Sequence, residues 1–156
     1  MDNRLIIRDY SIDDRSYVVK SWLMALHTIP PFRECKDRLY YPGAQKLADR
    51  VLGSPCARVA VIATVADPEF IVGYAVYWSL PNTAIVWFIY VRDTWRQLGL
   101  ATHLADAIPT KKVAFVFKRL YNGIDFGKKI GLKRGWEYWP TLMFEAFSPE
   151  FSYSGE

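Results

Sequence analysis

The stretch from Thr83 to Phe117 constrains this chain more than any other. Thr83–Val91 is almost wholly apolar, the pattern of a strand buried on both faces. No hairpin turn follows it. Instead comes a polar turn, then a helical pattern from about Leu98 to Ile108 that Pro109 stops, then a second apolar strand, Val113–Phe117. A strand, a helix and a strand in that order predict a crossover between parallel neighbours.

The flanking segments fit around this unit. Leu5-Ile6-Ile7 is a short β-type run. Ser11, with Asp14 three residues on, resembles a capping box. Val18, Trp22 and Leu26 then recur at helical spacing, which predicts a helix from about Ile12 to His27, ended by Pro30-Pro31. After a polar and aromatic loop from Arg33 to Tyr41, Pro42 stands where it can open a second helix, and Gly53 stops that helix. Arg58–Val65, Phe70–Ser79 and Thr83–Val91 have short connections and form an antiparallel meander. Beyond Phe117, a weaker helix is expected over about Gly123–Ile130. A β-type tail is expected over about Gly135–Phe147, with Pro140 as a break or bulge.

A length of 156 residues favours one domain, 1–156, with a substantial core. No apolar run is long enough to span a membrane, and the polar start Met-Asp-Asn-Arg lacks the apolar core of a signal peptide. Cys35 and Cys56 show no metal-ligand spacing. These features predict a cytoplasmic protein without a metal site. The net charge of +4 is uneven. Lys111, Lys112, Lys118, Arg119, Lys128, Lys129, Lys133 and Arg134 fall in a stretch whose single acid is Asp125. That is a solvated basic face, a phosphate contact or a surface for a polyanion.

The chemistry concentrates at Arg96-Gln97-Leu98-Gly99-Leu100-Ala101-Thr102, where the apolar strand has ended and a helix starts. Helix N-termini hold unpaired N–H groups and the positive end of the dipole, which suit a phosphate-bearing ligand. Gly99 has no Cβ and lets the main chain come close to a phosphate oxygen. Ala101 is small for the same reason, and Thr102 adds a hydroxyl. Arg96 either holds the loop or meets a phosphate. The dinucleotide and Walker signatures are absent.

The order β, α, α, β-β-β, α, β, α, β, together with this loop, resembles the GNAT superfamily of acyl-CoA-dependent N-acyltransferases from about Leu5 to Phe147. The family signature Gln/Arg-x-x-Gly-x-Gly/Ala reads here Arg96-Gln97-Leu98-Gly99-Leu100-Ala101, and Tyr90-Val91 stands before it at the family's spacing. The resemblance implies an α/β (α+β) fold. Its mixed, mostly antiparallel sheet has about six to seven strands, flanked by about four helices and splayed at the central strand pair. It implies acetyl-CoA, or another acyl-CoA, as co-substrate. The main chain from Arg96 through Gln97, Leu98, Gly99, Leu100, Ala101 and Thr102 then cradles the diphosphate. Ile89, Tyr90 and Val91 offer backbone groups to the pantetheine arm, and an N–H near Tyr90 polarises the thioester carbonyl. Phe117 and Asn122 flank the arm on the other side.

The chain departs from the family in its acid and base. Where many members carry the tyrosine that protonates the leaving thiolate, this chain has Gly127, ahead of Gly131-Leu132; Tyr121 serves only from a shifted position. No Asp or Glu lies within Thr83–Val91. The candidates for a base are Tyr77 or Ser79 on the neighbouring strand, and His27, whose imidazole titrates near neutral pH. His103, one turn into the helix, reads as structural or near the phosphate, and Asp93 as a turn residue.

The expected reaction is transfer of an acetyl or other short acyl group to an amine, which attacks the thioester directly. The acceptor is a small molecule, a protein amine or a nucleic-acid base. Phe32, Arg33, Tyr40 and Tyr41 mark the loop expected to meet it. An uncovered C-terminal strand edge offers a route to a homodimer. The alternative is a non-catalytic protein on the same fold, binding acyl-CoA, a protein or nucleic acid.

Overall fold

Among the described residues, six strands lie in sequence order across one sheet: β1 (Leu5–Asp9), β2 (Ala57–Thr64), β3 (Ile71–Ser79), β4 (Ala84–Val91), β5 (Val113–Phe115) and β6 (Glu137–Tyr138). The computed structural model describes residues 1–110, 112–117 and 127–142. β1 to β4 are antiparallel neighbours, and β4–β5 and β5–β6 are parallel. The mixed, mostly antiparallel sheet expected from the sequence is the one observed.

Two helices cover one region of the sheet. α1 (Arg15–Leu26) follows a 3-10 turn at Ile12–Asp14, and α2 (Asp37–Gly53) packs beside it. Val18, Trp22 and Leu26 are buried, so the helical spacing read from the sequence is the core face. Trp22 stacks on Phe88 of β4 with ring centroids 5.9 Å apart. Trp78 of β3 donates its indole N–H to the Val51 carbonyl of α2 at 2.9 Å. The start of α1 is tied down through Asp14. Its carboxylate accepts from the Ser11 N–H at 2.8 Å and from both terminal nitrogens of Arg8, on β1, at 2.7 and 2.9 Å. The Arg8 guanidinium, with the Ser11 N–H, holds the Asp14 carboxyl below its usual pKa.

α3 (Leu100–Asp106) makes the crossover from β4 to β5. Leu100, Leu104 and Ala105 are its buried stripe. After the segment beyond Phe117, a π-helical turn at Gly127–Gly131 and a 3-10 turn at Leu132–Arg134 lead into β6. Gly131 rests against the Phe115 ring, where a Cβ would come within 2.8 Å.

Several boundaries differ from expectation. α2 begins at Asp37, so Pro42 lies inside the helix instead of opening it. A proline there removes one internal N–H bond, and burial of Tyr40, Ala44, Ala48 and Val51 outweighs that loss. The predicted loop is correspondingly short and contains a 3-10 turn at Phe32–Glu34. α3 starts two residues later than predicted because Gln97 and Gly99 have positive φ. β6 is two residues long, with a turn at Pro140–Thr141. The expected helix before Gly127 and the tail after Leu142 lie outside the described residues.

Candidate active site

β4 is a strand of two halves. Its first three residues pair with β5: Ala84 with Val113, Ile85 with Ala114, and Val86 with Phe115. The last bond of the junction runs from the Val116 N–H to the Val86 carbonyl at 3.2 Å. β4 continues through Val91, still paired with β3 but no longer with β5. Among the described residues, the part of β4 after Val86 is paired with β3 alone.

A bulge decides which main-chain groups face away from β3. Val76 pairs with Phe88 and Tyr77 with Val86, so Trp87 is the extra residue on β4. Before the bulge, Ala84 and Val86 direct their bonds to β5: the Ala84 N–H donates to the Lys112 carbonyl at 3.0 Å, and Val86 accepts from Val116. Beyond it, the Arg92 N–H donates to the Val72 carbonyl on β3 at 2.8 Å. Bonded pairs alternate along an antiparallel ladder. Tyr90 thus bonds to its partner Tyr74, and Ile89 and Val91 turn their N–H and C=O groups to the side away from β3, where the Val91 carbonyl accepts from Arg96 Nε. Gly73 confirms the parity, since a Cβ there would come within 2.7 Å of the Tyr90 carbonyl oxygen. This corrects the expectation for Tyr90. Its main-chain groups face β3; those of Ile89 and Val91 face the other side.

The loop after β4 is held from several sides. Arg96 donates from Nε to the Val91 carbonyl at 2.9 Å and forms an ion pair with Asp93. It is the loop-holding role that the side chain fulfils. Trp95 packs under the guanidinium of Arg4, 5.1 Å from its centroid. Gly99 has φ +72° and is the N-cap of α3; a Cβ there would meet nothing within 4 Å. Its requirement for glycine is therefore conformational. α3 then begins with Leu100, which is buried, and Ala101 and Thr102, which are partly buried. Gln97 shares the left-handed conformation with φ 67°, a cost that a non-glycine residue bears only where its surroundings impose it. Leu98 is half exposed.

A cavity of about 430 Å³ opens beside the C-terminal end of β4. It is lined by the flank of α1 that carries Tyr17, Ser21 and Ala25, by Thr28 just beyond that helix, and by Tyr90, Arg92 and Arg96. Ser21 Oγ lies 2.6 Å from the Tyr17 carbonyl and 2.8 Å from the Tyr74 hydroxyl, which is 3.0 Å from the Val18 carbonyl. Tyr74 stacks on Tyr90 at 5.4 Å. Burial, with Tyr90 beside it, pushes the Tyr17 phenol up to about 12. Burial raises the Tyr74 phenol too. Both rings are neutral hydroxyls at physiological pH. Tyr17, Ser21 and Tyr74 were not singled out from the sequence. The signal available was the spacing of four between Tyr17 and Ser21 on one helix face.

The expected catalytic side chains are placed elsewhere. His27 is the C-cap of α1, and its Nε2 lies 2.8 Å from the Cys35 carbonyl. A carbonyl only accepts, so Nε2 carries the proton. The ring stacks on Tyr40 at 4.1 Å and meets Tyr41 edge-on at 5.5 Å. His27 thus ties the α1–α2 connection together. Tyr77 lies one residue from Val76 and Trp78 on β3. Side chains alternate, and Tyr74 and Trp78 face α1 and α2, so Tyr77 projects from the opposite face, away from the cavity. Tyr121 and Asn122 lie outside the described residues. Gly127 is buried. Phe117 meets Phe88 at 6.2 Å and Phe32 at 6.1 Å, both edge-on. It brings the α1–α2 connection against β4 beyond its pairing with β5.

Among the described residues, no helix is long and apolar enough to cross a membrane. A search of curated protein sequences finds no match. Among solved structures, a provisionally named acetyl transferase from Pyrococcus furiosus superposes with a TM-score of 0.58 at 15% identity, over 85% of this chain and 93% of that one. A GNAT-family acetyltransferase from Staphylococcus aureus Mu50 gives 0.46 at 14% identity, over 67% of this chain and 62% of that one. The PaiA N-acetyltransferase of Thermoplasma acidophilum, solved with coenzyme A, gives 0.47 at 11%, over 67% and 68%. The chain spans 62% of the length of the Staphylococcus protein and 61% of a Desulfovibrio desulfuricans relative. At these identities the likeness is one of fold. The model of the acetyltransferase (GNAT) family matches residues 19–121, which takes in most of α1, the meander and the Arg96–Thr102 loop. The chain belongs to the GNAT family of acetyltransferases.

Proposed function

We propose that this chain, as a single domain over 1–156, transfers an acetyl or other short acyl group from acyl-CoA to an amine. The observation that carries the reading is the end of β4, which among the described residues pairs with β3 alone and turns main-chain groups of Ile89 and Val91 to its other side. An extended pantetheine arm is a chain of amides. It lies along that side and bonds to those groups as an added strand would. The diphosphate lies at the loop, in the open space beside Gly99 and before the first turn of α3. Arg96 acts there by fixing the loop to Val91 and Asp93.

In the reaction, the amine nitrogen attacks the thioester carbonyl carbon. The C–N bond forms, the C–S bond breaks, CoA departs as the thiolate, and the amine gives up a proton to solvent. A thiolate is a good enough leaving group to depart without an acid at Gly127. Tyr17 acts as a neutral hydrogen-bonding hydroxyl beside the acceptor. His27 and Tyr77 are not assigned a part in the proton transfer. Holding amine and thioester together supplies the main acceleration.

The test is incubation with acetyl-CoA and a panel of amines, with detection of free thiol. Amine-dependent thiol release that Gly99→Val abolishes is the expected result. Acetyl-CoA that neither raises the melting temperature nor gives heat in calorimetry rules the reading out.

A second reading rests on Gly127 and on the engagement of His27 with Cys35. A chain without the usual acid and base binds acyl-CoA, a protein or nucleic acid without turnover. Acetyl-CoA binding with no thiol release from any amine favours it.

A further inference from the structure

The cavity between α1 and the end of β4 carries an unbalanced charge. Lys20, Arg92 and Arg96 line it, against one carboxylate, Asp93. That carboxylate is already ion-paired with Arg96. Lys20 is exposed on the helix flank. Arg92 is held in place without a counter-ion: Nε donates to the Ile71 carbonyl at 3.0 Å, and its guanidinium lies 4.7 Å from the Tyr17 ring and 4.3 Å from that of Phe70. Among the described residues, neither Lys20 nor Arg92 has an acidic partner. Two cations thus stand over one cavity, and among the described residues neither is in an ion pair.

Arg92 is fixed before any ligand arrives. The aromatic rings on it and the bond from Nε set the plane of the guanidinium and leave its terminal N–H groups for another acceptor. A fixed planar donor of this kind suits a carboxylate or a phosphate. The hydroxyl-bearing wall at Tyr17 and Ser21 is polar but neutral, so it offers nothing to a second positive charge. A polycationic acceptor would place its further ammonium groups against Lys20 and Arg92, with like charges at close range.

We infer that the acceptor is an amine that also carries an anionic group, a carboxylate or a phosphate, held by Arg92 and Lys20 while the amine points at the end of β4. This rests on the acyltransferase reading and narrows it to one substrate class.

Matched acceptors test it: β-alanine against β-alaninamide, phosphoethanolamine against ethanolamine, and putrescine as the polycation. The full chain is assayed with acetyl-CoA by thiol release. Acceptor binding is measured separately by calorimetry. The anionic member of a pair is expected to be favoured in kcat/KM or in binding by about tenfold, and putrescine to be the poorest. Which pair shows the larger preference separates carboxylate from phosphate. In Lys20→Gln, an exposed change that spares the fold, and in Arg92→Gln, the preference ratio falls toward one and its dependence on salt weakens. An anionic preference in binding that Lys20→Gln and Arg92→Gln reduce supports the inference even where no thiol is released. Equal use and equal binding within each pair, a preference for putrescine, no measurable acceptor binding, or a preference that both variants leave intact overturns it. Failure of acetyl-CoA itself to bind overturns the acyltransferase reading and is seen in a different measurement.

Discussion

The two halves of β4 have nearly the same composition and opposite surroundings. Ala84–Val86 is zipped between β3 and β5. Ile89–Val91 has β3 on one side and, among the described residues, no strand partner on the other. Both halves are apolar and mostly buried, so burial alone does not distinguish them. What distinguishes them is where the main-chain bonds go. In the first half they complete the sheet. In the second, Ile89 and the Val91 N–H turn away from the β3 ladder, and the Val91 carbonyl accepts from Arg96 Nε. A ligand site in this fold is a place where the ladder is left unfinished, and the single extra residue Trp87 selects which N–H and C=O groups face it.

This contrast predicts different consequences for damage in each half. The largest effect on stability belongs to the closed half. Ile85 is fully buried, and Ile85→Ala is expected to cost about 2–5 kcal/mol of unfolding free energy. Denaturant unfolding reads that loss, and the affinity of the folded protein for acetyl-CoA is expected to be unchanged. A variant that loses acetyl-CoA binding while remaining folded would show that the two halves are not separable.

The open half gives the converse. Gly99→Val forces a β-branched residue into φ +72°, at a cost of about 1–3 kcal/mol. Acetyl-CoA binding is expected to be lost in calorimetry while circular dichroism shows a folded sheet. Full binding by this variant would remove the loop from the site. Arg96→Met removes the bond to the Val91 carbonyl, about 1 kcal/mol. It is expected to weaken acetyl-CoA binding with little change in melting temperature. An equal loss of both would make Arg96 a general structural residue instead.

The smallest effect is one of pH. The Asp14 carboxyl is held below its ordinary value of 3.8 by Arg8 and the Ser11 N–H. Its stabilising contribution is present in full above that value and is lost as the pH falls below it toward the depressed one. Acid unfolding of Asp14→Asn is expected to show a shallower dependence on pH in this window than the wild type. Identical acid profiles would exclude Asp14 as an anchor of α1.

Much of this architecture was legible in the residues. The spacing of Val18, Trp22 and Leu26 marked the core face of α1. The apolar run into Arg96-x-x-Gly99-x-Ala101 marked the crossover and the loop. Pro42 misled, because a proline at a helix start and one tolerated inside a well-buried helix look alike in sequence. The central site was half legible. Tyr90 was chosen by position. No residue type announces that Trp87 is bulged, and one inserted residue reverses which neighbours face away from β3. His27 looked like a base because its chemistry allows it. Its engagement with Cys35 depends on how the α1–α2 connection folds back. The cavity at Tyr17 and Ser21 arises only when α1 lies over the end of β4, a contact between distant segments that spacing along the chain does not encode.

The main-chain parity of β4 is the claim most directly open to measurement. Amide exchange at Ile89, Tyr90 and Val91, followed by NMR with and without acetyl-CoA, reads it residue by residue. The account predicts that acetyl-CoA slows exchange at Ile89 and Val91 and leaves Tyr90, already bonded to β3, as it was. Protection gained at Tyr90 with Ile89 and Val91 unchanged would contradict it.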